Sequence, residues 1–386
     1  MDRIASVIND FISAEHITGA AVRVYKKNER VYDQVFGFAD LEKKMPVTAN
    51  TMYRMCSMTK PITGICVMKL VEEGRLSLQD PVAKFVPEIR DMQVAVTGDG
   101  GEVTLVPLMR DITIYDCLNH SSGIGTGPIR PSGGMATAST ANVLGNIYPG
   151  MPLEERVKLY AQGPADFQPG EGTGYSAFMA FDILAYVIGC ASGMDFNTYL
   201  QKAVAGPMGI RDLTFTPDEE QLSRLGPIIG KNEGRLFDET ETSMLWLLVD
   251  PMKCGYHSGG AGILGSLEAY SAVAKMLLDG GVYNGVRILK EETVQLMSGY
   301  GTNPELRFEE EAYWGLSLAN FDHPERMNRG LEPGSFGWSG AYGTHFYIDP
   351  KNEMCVTIVT CGSYLGGADS DVSWVLEKAI YDMFIR

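Results

Sequence analysis

The spacing of apolar positions changes several times along the chain, and each change marks an element. Ile4, Val7, Ile8, Phe11 and Ile12 recur at helical spacing, so the chain opens on an amphipathic helix. Ala20–Tyr25 and Arg30–Phe38 flank the polar run Lys26-Lys27-Asn28-Glu29, the pattern of a β-hairpin. A second helix is predicted from about Pro61 to Glu73, stopping at Gly74. Proline fits only the first turn of a helix, so this one must begin close to Ser57–Lys60. From Val94 to Gly174 the chain is rich in Gly, Pro, Ser and Thr with short helical pieces, a loop-heavy insertion. Helical patterns return at Ala177–Ala191 and Leu267–Leu278. Strand-like runs follow at Trp314–Ala319, Gly343–Ile348 and Met354–Cys361, and a helix over Ser373–Phe384 closes the chain.

Helices at both termini around late antiparallel strands predict an α/β (α+β) fold, an antiparallel sheet flanked by helices. The body is expected from about residues 1–85 and 255–386, with a mostly helical, loop-rich domain over 86–254. At 45% hydrophobic and 21% charged residues, the 386-residue chain has ample material for such cores.

Charge narrows the partners. With 32 basic against 48 acidic residues the net charge is −16, which argues against nucleic acid. No window approaches the roughly 18 apolar residues of a membrane span. Asp2, Arg3, Asp10, Glu15 and His16 leave no apolar core for a signal peptide in the first residues. Seven cysteines, an odd number without paired spacing, read as free thiols of a reducing compartment. A cytoplasmic protein without nucleic-acid or membrane partners is expected, its oligomeric state left open.

Three familiar signals fail on context. Gly260-Ala261-Gly262-Ile263-Leu264-Gly265 fits G-x-G-x-x-G, but no strand precedes it and no acidic residue follows about 20 positions on, so it reads as a glycine loop before a helix. Cys254 and His257 lack a second pair, which makes a poor zinc site, and no metal or cofactor is expected. No serine lies in G-x-S-x-G. What remains is Ser57-Met58-Thr59-Lys60. Three residues apart at a helix start, hydroxyl and amine share one face. An amine there can help take the serine proton, and the helix N-terminus suits a developing oxyanion. Ser57 is the only serine with lysine three residues on, and Met55, Cys56 and Met58 make its surroundings apolar.

The segment Met52-Tyr53-Arg54-Met55-Cys56-Ser57-Met58-Thr59-Lys60-Pro61 resembles the active-site segment of the serine β-lactamase/penicillin-binding-protein superfamily. The match is closest to the class C-like branch and its family VIII carboxylesterases. The resemblance continues in order through Leu76-Ser77-Leu78-Gln79-Asp80-Pro81-Val82 with Phe85-Val86-Pro87-Glu88, and through Ile112–Gly123 with its His120-Ser121-Ser122-Gly123. Phe167-Gln168-Pro169-Gly170 with Tyr175-Ser176, Gly259-Gly260-Ala261-Gly262 and Phe336-Gly337-Trp338-Ser339-Gly340 complete it, over some 300 residues.

This resemblance implies Tyr175 as the phenol abutting the nucleophile. The division of proton transfer between Lys60 and Tyr175 stays open, the pair acting as one unit. It implies an oxyanion hole from the backbone N–H groups of Ser57 and Ala341, and substrate contacts from Trp338, Ser339 and Gly340. Two positions depart from the pattern: Ala177 stands where the family often has the Asn of Tyr-x-Asn, and Trp338 replaces the cation of the third motif. Both remove polar handles for a β-lactam or a peptide C-terminus. The expected activity is a serine hydrolase with an acyl-enzyme on Ser57, a carboxylesterase on short-chain esters. The alternatives are a β-lactamase or D-amino-acid peptidase, an acyltransferase, or a binding module with a decayed site. The implied partner is a small ester or amide.

Overall fold

A computed structural model describes residues 2–98, 100–126, 143, 145–148, 150–243, 246, 249–299, 303, 305–327, 329–367 and 370–386. Residues 127–142 of the expected loop-rich stretch lie outside it.

The hairpin read near the N-terminus is two long strands, β1 (Gly19–Lys26) and β2 (Glu29–Asp40). Its turn is shorter than the four-residue polar run: Lys27 and Asn28 both take positive φ, 47° and 67°, the twist that a two-residue hairpin loop needs. A short β3 (Met45–Pro46) follows, and six strands come from the other end of the chain. These are β4 (Arg307–Glu309), β5 (Ala312–Trp314), β6 (Ala319–Phe321), β7 (Ser335–Gly340), β8 (Thr344–Asp349) and β9 (Met354–Val359). The antiparallel sheet runs β4-β5-β6-β7-β8-β9-β1-β2-β3. Its two halves are sewn along β1 and β9, from Ala21 opposite Val359 to Lys26 opposite Met354.

Period-two burial assigns the faces. Ala20, Val22, Val24, Val356 and Ile358 face the terminal helices α1 (Arg3–Ser13) and α5 (Asp371–Phe384), meeting Ile4, Ile8, Leu376 and Ile380. Ala21, Phe346, Ile348 and Val359 face the opposite core, which holds Ile62, Ile65 and Cys66 of α2 (Thr59–Glu72), Ile183 and Leu184 of α3 (Met179–Ser192) and Val273 of α4 (Leu267–Leu278). α2 is buried nearly all round, as a helix between two layers must be.

Two expectations need correction. Trp314–Ala319 is not one strand but the end of β5, a turn and the start of β6. Ser317 takes φ 64°, its N–H bonds to Leu118 O at 2.7 Å, and Leu316 N bonds to Met297 O, so these amides leave the ladder. The loop-rich stretch also contains a hairpin, Gln93–Thr97 with Val103–Pro107, whose alternation was hidden among turn residues. No single helix among the described residues is long and apolar enough to cross a membrane.

Between the sheet and α5 lies a buried ionic chain. Arg329 grips the Glu377 carboxylate, with Nε to Oε2 at 3.0 Å and the second amino group on Oε1. His345 Nε2 also contacts Oε1 at 3.0 Å, and its Nδ1 meets Ser339 Oγ at 2.7 Å. Burial by itself raises the Glu377 carboxyl, but Arg329 and His345 outweigh it and hold it below its usual range. A depressed carboxyl stabilises the fold above its unfolded pKa and loses that contribution as pH falls through its folded value. Glu377→Ala leaves Arg329 buried without its anion and is expected to destabilise by about 3–5 kcal/mol. Urea unfolding should show the variant and wild type converging as pH drops below about 4; an unchanged difference down to acid pH contradicts the pairing.

Candidate active site

Ser57 sits in a single 3₁₀ turn, Cys56–Met58, that runs straight into α2. Cys56 is held at φ 47°, a conformation disfavoured for a residue with a Cβ. Thr59 locks it there, donating its hydroxyl to Cys56 O at 2.6 Å and accepting Ile263 N–H at 3.1 Å. The turn therefore presents a half-buried Ser57 at the helix start. Burial pushes the Cys56 thiol up to about 12 despite Arg54, so the neighbouring sulfur is inert.

Lys60, one turn into α2, is 1% exposed. Its ammonium directs three hydrogen bonds, to Ala177 O at 2.7 Å, Gly260 O at 2.9 Å and, more loosely, Ser57 Oγ at 3.4 Å. Those are all the donors an ammonium has. The amide that Ala177 lacks is thus met at this lysine by the residue's own carbonyl. The rings of Tyr175 and Phe181 flank the ammonium, with centroids 4.7 and 5.3 Å away.

Tyr175 comes from the loop before α3, 115 residues after Lys60 in sequence, and the fold brings the two together. Its hydroxyl accepts a long hydrogen bond from Trp338 Nε1, 3.4 Å. His120 pins the same loop, accepting the Ser176 N–H on Nδ1 at 3.1 Å. Burial first, and Lys60 second, depress His120 far below its ordinary range, so the ring stays neutral. Trp338, Trp314 and Phe308 continue the wall from Tyr175, with Trp314 edge-on to Trp338 at 4.6 Å and stacked on Phe308 at 4.4 Å.

β7 closes the other side. A Cβ on Gly340 would stand 2.2 Å from both Met55 O and Thr344 Oγ1, and Thr344 Oγ1 donates to Met55 O at 3.1 Å. The strand end is pressed against the serine turn, with the Tyr342 and Ala341 N–H groups against the Cys56 thiol. Gly340→Ala should push the strand off that turn and cut kcat on the order of 10–100-fold. Wild-type turnover in that variant would mean the contact is not needed.

Ser339 is the one anticipated residue whose side chain the fold turns away. It alternates with Trp338 on β7, pairs across to His345 and is 3% exposed on the α5 face, so only its backbone borders the site. His120, Trp314 and Phe308 were not singled out from sequence. His120 carried a signal in its His-Ser-Ser-Gly element, whereas the two aromatics lie on short strands with none.

A serine at a helix start, hydrogen-bonded to a buried ammonium that a tyrosine ring flanks, is the arrangement of a serine hydrolase of the acyl-enzyme type. The chain belongs to the Beta-lactamase family, whose sequence profile matches residues 4–379. Esterase EstB of Burkholderia gladioli is 28% identical over 403 residues, spanning 98% of this chain and 94% of its own. A putative D-alanyl-D-alanine carboxypeptidase of Salmonella typhimurium is 26% identical over 357 residues, spanning 87% and 77%. Among solved structures, EstCE1, described as a hydrolase with promiscuous acyltransferase activity, matches with a TM-score of 0.81 at 21% identity over 98% of this chain and 97% of its own. That likeness establishes the fold: a β-lactamase/penicillin-binding-protein architecture, as the sequence resemblance implied.

Proposed function

We propose that this serine hydrolase is a carboxylesterase that acts on short-chain esters through an acyl-enzyme on Ser57. The observation that carries the reading is Trp338 beside Tyr175, backed by the buried Trp314 and by Phe308; by the resemblance, Trp338 replaces the cation that a lactamase or peptidase presents. Such a wall suits an uncharged acyl or alcohol group. Ser57 Oγ attacks the ester carbonyl while its proton passes to the Lys60–Tyr175 unit in the form that has given up one proton, as amine or phenolate. The oxyanion takes the N–H groups of Ser57 and Ala341; the latter otherwise faces the Cys56 sulfur, a weak acceptor that an oxyanion outcompetes. The tetrahedral intermediate collapses, the alcohol leaves with the proton, and water repeats the sequence on the acyl-enzyme.

The nucleophile and β7 come from the part formed by residues 1–85 and 255–386, Tyr175 from the part over 86–254, and the cleft is assigned to their meeting. Seven free cysteines support a reducing, cytoplasmic setting. The same apolar wall offers a platform for an acceptor alcohol, which favours acyl transfer as a second reading.

Intact-mass analysis after treatment with a p-nitrophenyl alkylphosphonate, followed by peptide mapping, tests the proposal. One adduct on Ser57, with hydrolysis of p-nitrophenyl acetate and butyrate, is expected. An adduct elsewhere overturns the nucleophile. An alcohol added at increasing concentration should divert acyl groups to a new ester if transfer competes with water.

A further inference from the structure

In the apolar run Met179-Ala180-Phe181-Asp182-Ile183-Leu184 of α3, Asp182 is 0% exposed. A lone carboxylate at that depth demands partners. Its Oδ1 accepts Ser258 Oγ at 2.7 Å, and its Oδ2 accepts the hydroxyls of Tyr160 at 2.9 Å and Tyr256 at 3.3 Å. Arg156, on the helix Leu153–Tyr160, donates to the Tyr256 hydroxyl oxygen at 2.9 Å with its guanidinium 3.9 Å above that ring.

The hydroxyls around the group point to its two oxygens. Ser258 gives its proton to Asp182 and accepts Gly260 N–H at 3.2 Å; Tyr256 gives its own and accepts Arg156. The carboxyl group is left to accept only, as a carboxylate does. Burial pushes it above its usual range, and Ser258, Arg156, Tyr160 and Lys60 offset only part of that rise.

Of the two carbonyls that hold Lys60, one is tied to this carboxylate and the other to the main chain of the same residue. Gly260, tethered through Ser258, offers one; the other belongs to Ala177, at the start of α3, whose first turn is closed by Asp182 N–H on Phe178 O at 2.8 Å. Loop and helix touch so closely that a Cβ on Gly259 would lie 2.1 Å from Phe181 O, and one on Gly260 2.7 Å from Ala177 O. No carboxylate among the described residues bonds the Lys60 ammonium directly.

We propose that Asp182 is the positioning residue for Lys60: through Ser258, Gly260 and the start of α3 it sets the two carbonyl acceptors, and it supplies the buried negative charge that balances the ammonium. The inference rests on the Ser57–Lys60 reading above. The charged and titratable groups around the pair are Arg156 and Tyr160 from one helix, Tyr256 from the loop before Ser258, and Tyr175 and His120 beside Lys60.

The experiment follows Ser57 phosphonylation by a p-nitrophenyl alkylphosphonate, and kcat and KM for p-nitrophenyl butyrate, between about pH 5 and pH 10 in wild type, Asp182→Asn and Ser258→Ala. Asp182→Asn removes the anion that both Lys60 and Arg156 feel. The pH–rate profile should move to lower pH, because a buried anion beside the Lys60–Tyr175 unit has gone. Phosphonylation and kcat should fall on the order of tenfold with KM changed less than about threefold. Ser258→Ala keeps the anion but cuts the tether, so kcat should fall with the profile in place; it serves equally if Asp182→Asn does not fold. Wild-type rates and profile in both variants overturn the inference while Ser57 labelling stands. Absence of Ser57 labelling in the wild type overturns the reading on which it rests, and the inference with it.

Discussion

Ser57→Ala should abolish ester hydrolysis, by on the order of 10⁴-fold or more, and leave the fold intact. The side chain removed is half-buried and its one hydrogen bond, from Lys60, is long, so the change in stability should stay within about 0.5 kcal/mol. The Ser339 hydroxyl, nearby along β7, cannot take over: it is turned to the far face and bonded to His345. Lys60→Ala and Tyr175→Phe should each lose on the order of 10²-fold, because each withdraws a proton-transfer partner. The two losses should not multiply. The lysine lies against the phenol ring, and removing either disables one unit. Single-turnover acylation of the four variants, with intact mass as a second readout, checks this. A phosphonate adduct persisting in Ser57→Ala would falsify the assignment, and a double variant slowed by the full product would separate Lys60 from Tyr175.

The second large effect is a preference for simple esters over cephalosporins by roughly 10²–10⁴ in kcat/KM. A β-lactam brings a carboxylate into the cleft, and an anion desolvated without a partner is unfavourable by several kcal/mol. Trp338 offers that carboxylate an indole whose N–H is already turned to Tyr175, and the Ser339 hydroxyl points to the opposite side of the sheet. Ala177 has no amide for an acylamide side chain, and each unmet polar group costs about 1–3 kcal/mol. Two such deficits give the stated ratio at about 1.4 kcal/mol per factor of ten. The measurement is kcat/KM for p-nitrophenyl acetate and butyrate beside a chromogenic cephalosporin. Equal values would move the reading to a lactamase. Trp338→Lys should raise the cephalosporin relative to the ester, and an unchanged ratio would place the indole outside the pocket.

Local patterns carried most of the framework. α4 has the bounds its spacing predicts, and the proline rule placed the start of α2 beside Ser57 because helix entry is decided within one turn. Short strands were harder: β5 and β6 have three residues each, too few for a period, and their separation depends on amides bonded to Leu118 and Met297 far away in sequence. The same division runs through the site. Spacing offers Ser57 and Lys60 as a candidate pair that the resemblance singles out, while Tyr175 is reached only by resemblance, since nothing local distinguishes it from other tyrosines. The orientation of Ser339 was available in principle, because neighbours on a strand face opposite ways and Trp338 already claimed the cleft side. Asp182 also left a trace, a charge inside an apolar helical run, but its partners Tyr160, Tyr256 and Ser258 come from three other segments.

The seam between β1 and β9 sets a timetable for the ribosome. β1 leaves the tunnel early, yet its neighbour on one side is made about 330 residues later, roughly 15–65 s at ordinary elongation rates. Throughout that interval one long edge of the first hairpin stands open, and β7, the strand that braces the serine turn, does not yet exist. The nascent chain is therefore an inactive, edge-exposed intermediate for most of its synthesis, a natural client for chaperones. A transcript ending before Met354 would yield no weakened enzyme but a chain whose two half-sheets never join.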